Sequence, residues 1–128
     1  MTPLESLASI VGKKVYVGGP MRGIPEFNFP AFNAATEALR KIGCTVFNPA
    51  ERDNEAHGTD ISKGNARGCE EQATKDHGFN LRDALGDDLA FICKHADAVV
   101  LLPGWPHSKG ARAERATADA LGLIIIEL

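Results

Sequence analysis

The chain has no CxxC pair, no apolar run near the length of a membrane span, no GxGxxG turn and no P-loop lysine. Each absence removes a class of function. Its three cysteines, Cys44, Cys69 and Cys93, are odd in number and widely spaced. That argues for free thiols in a reducing compartment rather than a disulfide framework. His57, Cys69 and His77 lack the spacing of a zinc site, so no metal is expected. Without the glycine fingerprint of dinucleotide binders or the phosphate-cradling lysine, no cofactor is expected either. The formal charge of −3 is small for 128 residues, and gives no general field for a nucleic acid polymer or an anionic membrane. No stretch approaches the ~18 apolar residues of a spanning helix, and the start shows no basic-then-apolar leader pattern. The expectation is a soluble cytoplasmic protein. Any anionic ligand has to be held by a local site.

What is present is an ordinary globular composition, 44% apolar, in a length that suits one domain over residues 1–128. A chain of this size buries roughly two thirds of its unfolded surface. Met1 to Val11 is mildly amphipathic through Leu4, Leu7 and Ile10, and reads as a short helix or a loosely held arm. Lys14 to Gly18 reads as a first strand, ended by a loop with three glycines and two prolines over Gly18 to Pro25. Phe29, Phe32, Thr36, Leu39 and Ile42 recur at helical spacing, with Gly43 as a stop. Cys44 to Phe47 is a second, short strand. Glu51 to Asn80 is polar, charged and glycine-rich, and is expected to be a flexible loop or lid with at most one helical turn. Leu81 to Ala96 is helical on a stripe of Leu81, Leu85, Leu89 and Ile92. Asp97 to Leu102 reads as a strand buried on both faces. Gly110 to Gly122 is a last helix, and Leu123 to Ile126 a last strand.

Strands alternating with helices imply a parallel sheet with right-handed crossovers. The fold expected is a single-domain, three-layer, Rossmann- or flavodoxin-like α/β structure with strand order 2-1-3-4. Ligands of such sheets bind where the strand order reverses, beyond the carboxyl ends of the strands. The loops that meet there are Gly18 to Pro25 and Pro103 to Gly110. Gly19, Pro20, Met21, Arg22 and Gly23 of the first loop are therefore candidate substrate contacts.

Two carboxylates fall on unexpected faces. At about 100° per residue, the last helix turns Arg112, Arg115 and Asp119 to one side. Glu114 falls opposite, with Ala111, Ala118 and Leu121. It is either a functional group or a glutamate leaning toward the helix start, where the dipole favours it. Asp88 shares the Leu81, Leu85 and Ile92 stripe while Asp87 points away. It is either a helix-edge residue or a functional one. A pair of inward carboxylates suits acid–base or nucleophilic work on a sugar. Ser108 and Gly110 open the last helix and offer backbone N–H groups to an anion, though Ser108 also serves as an ordinary cap. Arg22 reads as a charged fork for phosphate or as a solvated loop arginine. Trp105, the only tryptophan, can stack on a base or plug the core. Tyr16, the only tyrosine, can hold Glu114 or simply pack.

Val15-Tyr16-Val17-Gly18-Gly19-Pro20-Met21-Arg22-Gly23 resembles the first strand and loop of the nucleoside 2-deoxyribosyltransferase superfamily. Ala96-Asp97-Ala98-Val99-Val100 followed by Ser108-x-Gly110-x-x-x-Glu114 resembles its second signature, and the whole chain resembles the compact DUF4406 branch. The resemblance implies that Glu114 is the catalytic carboxylate and Asp88 the helix aspartate. By likeness to the deoxynucleotide N-hydrolases, it also implies that Ser108, Gly110 and Arg22 hold a 5′-phosphate. The expected activity is hydrolysis of the N-glycosidic bond of a nucleoside or deoxynucleoside 5′-monophosphate through a covalent glycosyl–Glu114 intermediate. Base exchange by a transferase, and nucleotide binding without turnover, are the alternatives. The expected partners are a small nucleotide and further copies of the chain, as superfamily members assemble into dimers or larger.

Overall fold

The computed structural model describes residues 3–128. The elements are α1 (Pro3–Ala8), β1 (Lys14–Gly18), α2 (Phe29–Lys41), β2 (Thr45–Phe47), α3 (Pro49–His57), α4 (Glu70–His77), α5 (Leu81–Lys94), β3 (Ala98–Leu101), α6 (Lys109–Ala120) and β4 (Ile124–Glu127). The N-terminal amphipathic stretch is helical from Pro3, and its first two residues lie outside the described residues. Among the described residues, no helix is long and apolar enough to cross a membrane.

The four strands form one all-parallel sheet in the order β2-β1-β3-β4, the order the alternating pattern predicts. Successive strand residues face opposite layers. Val15, Val17, Ala98, Val100 and Ile126 pack with α2 residues Phe29, Phe32 and Leu39 on one face. Tyr16, Val99 and Leu101 pack with Ile92 of α5 and Ala118 of α6 on the other. All four residues of β3 are buried, which is why it reads as a continuous apolar run. Asp97 tightens the start of the β1–β3 pair. Its backbone N–H donates to the Lys14 carbonyl at 2.7 Å, and its Oδ2 accepts from the Lys14 N–H at 2.9 Å.

The segment Glu51 to Asn80 departs from the sequence expectation of a mainly irregular loop. It holds most of α3 and all of α4. Asn48 caps α3 by accepting from the Ala50 N–H at 2.9 Å, with Pro49 at the first helical position, a pre-organised start that polarity alone does not show. Gly58 and Gly78 end the two helices in the left-handed region. Between them, residues 61–69 form a strap packed against the first loop. Ile61, Ser62 and Asn65 are buried. Asn65 Oδ1 accepts from the Cys69 N–H, and its Nδ2 donates to the Cys69 carbonyl, both at 2.8 Å.

This strap holds an unusual turn. Glu26, Phe27 and Asn28 all lie in the left-handed region, with φ of 54°, 53° and 62°. For residues with a Cβ that conformation costs roughly 1–2 kcal/mol each. It is secured by the Glu26 N–H donating to the Asn65 carbonyl at 2.9 Å, by Asn28 Nδ2 donating to the Pro20 carbonyl at 3.0 Å, and by burial of Phe27. Gly68 lies so close to the Ile24 backbone that a Cβ there would collide with it.

Asn65 therefore joins the strap to the strained turn. Asn65→Ala removes both bonds and leaves the Cys69 N–H unpaired, while the Cys69 carbonyl still accepts from the Ala73 N–H at 3.2 Å; the expected cost is about 1–2 kcal/mol. Denaturant unfolding measures the loss, and limited proteolysis should show faster cleavage within residues 58–69. A variant equal to the wild type in both would show that the strap is not held this way.

Candidate active site

The first turn of α6 and the end of β1 meet at the carboxyl edge of the sheet. Ser108 Oγ caps the helix by accepting from the Ala111 N–H at 3.2 Å. Ala111, Glu114 and Ala118 are the buried residues of α6. The inward placement of Glu114 is thus observed, while Leu121, expected on the same stripe, is exposed. Small alanines on either side let the helix sit close to the sheet and bring Glu114 against β1. There Tyr16 donates its hydroxyl to Glu114 Oε2 at 2.5 Å. The Tyr16 ring stacks on Phe47 at 5.7 Å, and Phe47 on Phe91 at 4.8 Å, which fixes the direction of the phenol.

Gly18 and Gly19 make that approach sterically feasible. A Cβ on Gly18 would stand 2.9 Å from Glu114 Oε1, and one on Gly19 would stand 2.8 Å from the Leu102 Cβ. A side chain at Gly19 would drive into Leu102, and one at Gly18 would push the Glu114 carboxyl from its place beside Tyr16, so packing is what favours the glycine pair.

A cavity of about 350 Å³ opens at this edge, within the range of small-molecule sites. Tyr16, Asp88 and Glu114 line it together with Ser108 and Gly110. From the first loop it is lined by Gly19, Pro20, Met21 and Arg22. The only atom near the place of a Gly110 side chain is Ser108 Oγ, at 4.0 Å, so glycine there leaves the helix start open. The N–H groups of Lys109 and Gly110 have no intrahelical partner by their position. The opposite wall is apolar, with Phe27, Phe32, Ile61 and Phe79.

Two predicted residues lie elsewhere. Gly23 does not line the cavity; its N–H donates to the Gly68 carbonyl at 3.0 Å. Trp105 packs against the core with Tyr16, Ile92 and Val99. Its ring carries the Arg115 guanidinium at 5.3 Å. Of its two sequence readings, the plug is the one observed. Arg22 is at the cavity but paired with Glu70 at 3.2 Å, its side chain half exposed.

Sequence reasoning missed Asp53. It is buried in α3 with Pro49 and Ala50 and lines the same cavity. Its Oδ1 accepts from Arg52 Nη1 at 3.0 Å, and Arg52 Nε also donates to Asp87 Oδ2 at 2.8 Å. The signal was available, since Pro49, Ala50 and Asp53 share one helical face. It was hidden because the window was read by its average polarity. On α5, Ala84, Asp88 and Ile92 are the buried residues. The stripe is therefore centred on Asp88, with Leu81 and Leu85 at the cavity's edge.

Burial governs the charges. It pushes the Glu114 carboxyl up to about 8; the Tyr16 hydrogen bond pulls it down and the nearby Asp88 raises it again. Burial pushes Asp88 up to about 7, reinforced by Asp53 and opposed by Tyr16 and Arg52. Asp53 is raised by burial and restrained by Arg52. Tyr16 is held well above its ordinary value by burial and by Glu114, so it remains a donor. Its one proton goes to Glu114, and Asp88 Oδ1 is buried with no hydrogen-bond partner among the described residues. Among the described residues, no group of three or more His, Cys, Asp or Glu is placed to hold a metal ion.

The model of a family described as a domain of unknown function (DUF4406) matches residues 13–127. No curated protein and no solved structure matches the chain.

The raised carboxyls make stability depend on pH. In the fold Glu114 keeps its proton up to about 8, against an ordinary value of 4.5. Between the two, the unfolded chain sheds a proton that the native chain holds. This stability is therefore complete below about 4.5 and lost as pH rises toward about 8. Glu114→Gln stays neutral throughout. Its stability relative to the wild type is expected to rise by on the order of 4 kcal/mol between pH 4.5 and pH 8. Thermal unfolding at both pH values tests this, and a gap independent of pH would show that Glu114 is not buried as a neutral acid.

Proposed function

The chain belongs to the DUF4406 family, and on that premise we propose that it hydrolyses the N-glycosidic bond of a nucleoside or deoxynucleoside 5′-monophosphate. The observation that carries this reading is the buried Tyr16–Glu114 pair, set on the wall of one cavity with Asp88 at the sheet's switch point. A carboxyl held there by a single phenolic hydrogen bond is placed to attack an anomeric carbon. The likeness of the Tyr16 strand and of the Ser108-to-Glu114 turn to the nucleoside 2-deoxyribosyltransferases points the same way.

In this mechanism ionised Glu114 forms a bond to C1′ as the C1′–N bond breaks through an oxocarbenium-like transition state. The bonding pair leaves with the base, and Asp88 donates a proton to it. Asp88, now a carboxylate, takes a proton from water. The water oxygen attacks C1′ and frees Glu114, giving sugar phosphate and base. Ser108, Gly110 and Lys109 at the start of α6 face the phosphate, whose binding positions C1′ against Glu114. The apolar wall of Phe27, Phe32 and Phe79 takes the base. The same reading includes a cytoplasmic homo-oligomer with a small nucleotide as its only other partner.

One observation favours a second reading. Arg22 is engaged by Glu70, so part of the phosphate anchor is occupied. A base-exchanging transferase acting on unphosphorylated nucleosides has no need of it.

Incubation with a panel of ribo- and deoxyribonucleosides, with and without 5′-phosphate, distinguishes the two by release of free base or by a new nucleoside when a second base is added. Glu114→Gln is expected to lower turnover by roughly 10³-fold or more. Full activity in that variant ends the proposal. Because Asp88 sheds its proton near 7 and Glu114 near 8, the reacting form, with Glu114 ionised and Asp88 protonated, is the minor of the two singly protonated forms, and kcat/KM is expected to follow a narrow bell bounded at about 7 and about 8 that belongs to the carboxyl pair as a unit. Asp88→Asn should remove the alkaline limb and cost about 10²–10⁴-fold. A flat profile across that range would contradict the assigned roles.

A further inference from the structure

Arg52 and Asp53 are neighbours in α3, and both act on the wall that carries Asp88. Arg52 reaches across to α5 and binds Asp87, whose side chain is 60% exposed, at 2.8 Å. Its other arm binds Asp53 at 3.0 Å. Asp53 is 4% exposed and Asp88 8%, and both line the cavity. Two carboxylates buried on one wall repel each other when both are ionised. Arg52 acts on both through space but is in contact with Asp53. Asp53 accepts from a guanidinium held in place from both ends, whereas Asp88 Oδ1 is buried without a partner among the described residues. The charge therefore settles on Asp53 and the proton on Asp88, a division of roles set by environment.

We propose that Asp53, clamped by Arg52, is a positioning residue that keeps the proton on Asp88 and so makes Asp88 the donor of this site rather than an acceptor. The groups acting on Asp88 come from each element around it: Tyr16 from β1, Asp53 and Arg52 from α3, Asp87 beside it in α5, and Glu114 from α6. Glu70 and Lys109 line the same cavity. Tyr16 directs its proton to Glu114, and Asp87 faces solvent and is tied to Arg52. Asp53 is the buried anion left to oppose ionisation of Asp88. Asp53 needs no contact with the reacting atoms for this role.

What the proton is used for rests on the glycosidase reading; where it resides does not. The test is a carboxyl-¹³C NMR titration of aspartate-labelled protein without ligand, in the wild type and in Asp53→Asn. In the wild type, Asp53 is expected to titrate below Asp88. In Asp53→Asn, the Asp88 midpoint is expected to fall by about a unit, because the opposing charge is gone. An unmoved Asp88 midpoint, or a wild type in which Asp88 ionises before Asp53, overturns the proposal. Should Asp53→Asn fail to fold, the wild-type order decides alone. Where turnover is measured, the acid limb of kcat is expected to move to lower pH with the Asp88 midpoint and the maximum to fall, because Glu114 titrates above Asp88; a merely structural role would lower the rate at every pH and leave both limbs in place, which counts against the proposal. A wild type that turns over no nucleoside or nucleotide ends the glycosidase reading and leaves the titration to decide this one.

Discussion

Burying a carboxyl at the mouth of a parallel sheet is costly unless the group is neutral or well hydrogen-bonded, and much of this molecule's local structure follows from how Glu114 meets that condition. Ala111 and Ala118 keep α6 close to the sheet. Gly18 gives up its side chain because Glu114 Oε1 occupies the space. Tyr16 is the one tyrosine of the chain and, among the described residues, supplies the one hydrogen bond to Glu114. Its own position depends on the stack through Phe47 to Phe91. A change at any of these residues alters the environment of the same proton.

The opposite wall shows the same pattern in the backbone. Three consecutive left-handed residues, Glu26, Phe27 and Asn28, would not persist in a free loop. The strap of residues 61–69 holds them through Asn65 and the close approach of Gly68 to Ile24. Strain of this kind survives only where the surroundings over-determine it. Here the residues that bear it put Phe27 on the cavity wall. The regular strands carry little of this burden. The unfavourable features gather at the carboxyl edge, where a stability–function trade-off would place them.

The strand order, α2, α5 and α6, and the inward face of Glu114 were all legible in the sequence, because each rests on periodicity over a dozen residues or on a nearly continuous apolar run. Residues 51–80 were not. Their buried positions are few and scattered, chiefly Asp53, Ile61, Ser62, Asn65 and Ala73, and several are polar. A segment that buries polar side chains through specific hydrogen bonds gives no hydrophobic period to read. The Asn48–Pro49 helix start was present in the letters but competed with the impression of a loop. Gly18 and Gly19 were legible as breakers, whereas their steric role depends on Glu114 and Leu102, which lie far along the chain. Trp105 was evenly balanced between stacking and packing until Arg115 and the core took both of its faces into account.

Charge decides whether such a site can accept an anion at all. With every acid ionised, the lining would set Asp53, Glu70, Asp88 and Glu114 against Arg22 and Lys109, and a phosphate entering a low-dielectric cleft would be repelled. Burial changes this by holding protons on Asp88 and Glu114 up to about 7 and about 8. With Asp53 ionised, the remaining charges are Asp53 and Glu70 against the two cations, and Glu70 already lies on Arg22. The burial that makes Glu114 a reluctant anion therefore also removes the field that would exclude an anionic ligand. A nucleophile that must lose its proton before it reacts is compatible with a phosphate-bearing substrate here because the two demands fall at different moments, entry before attack.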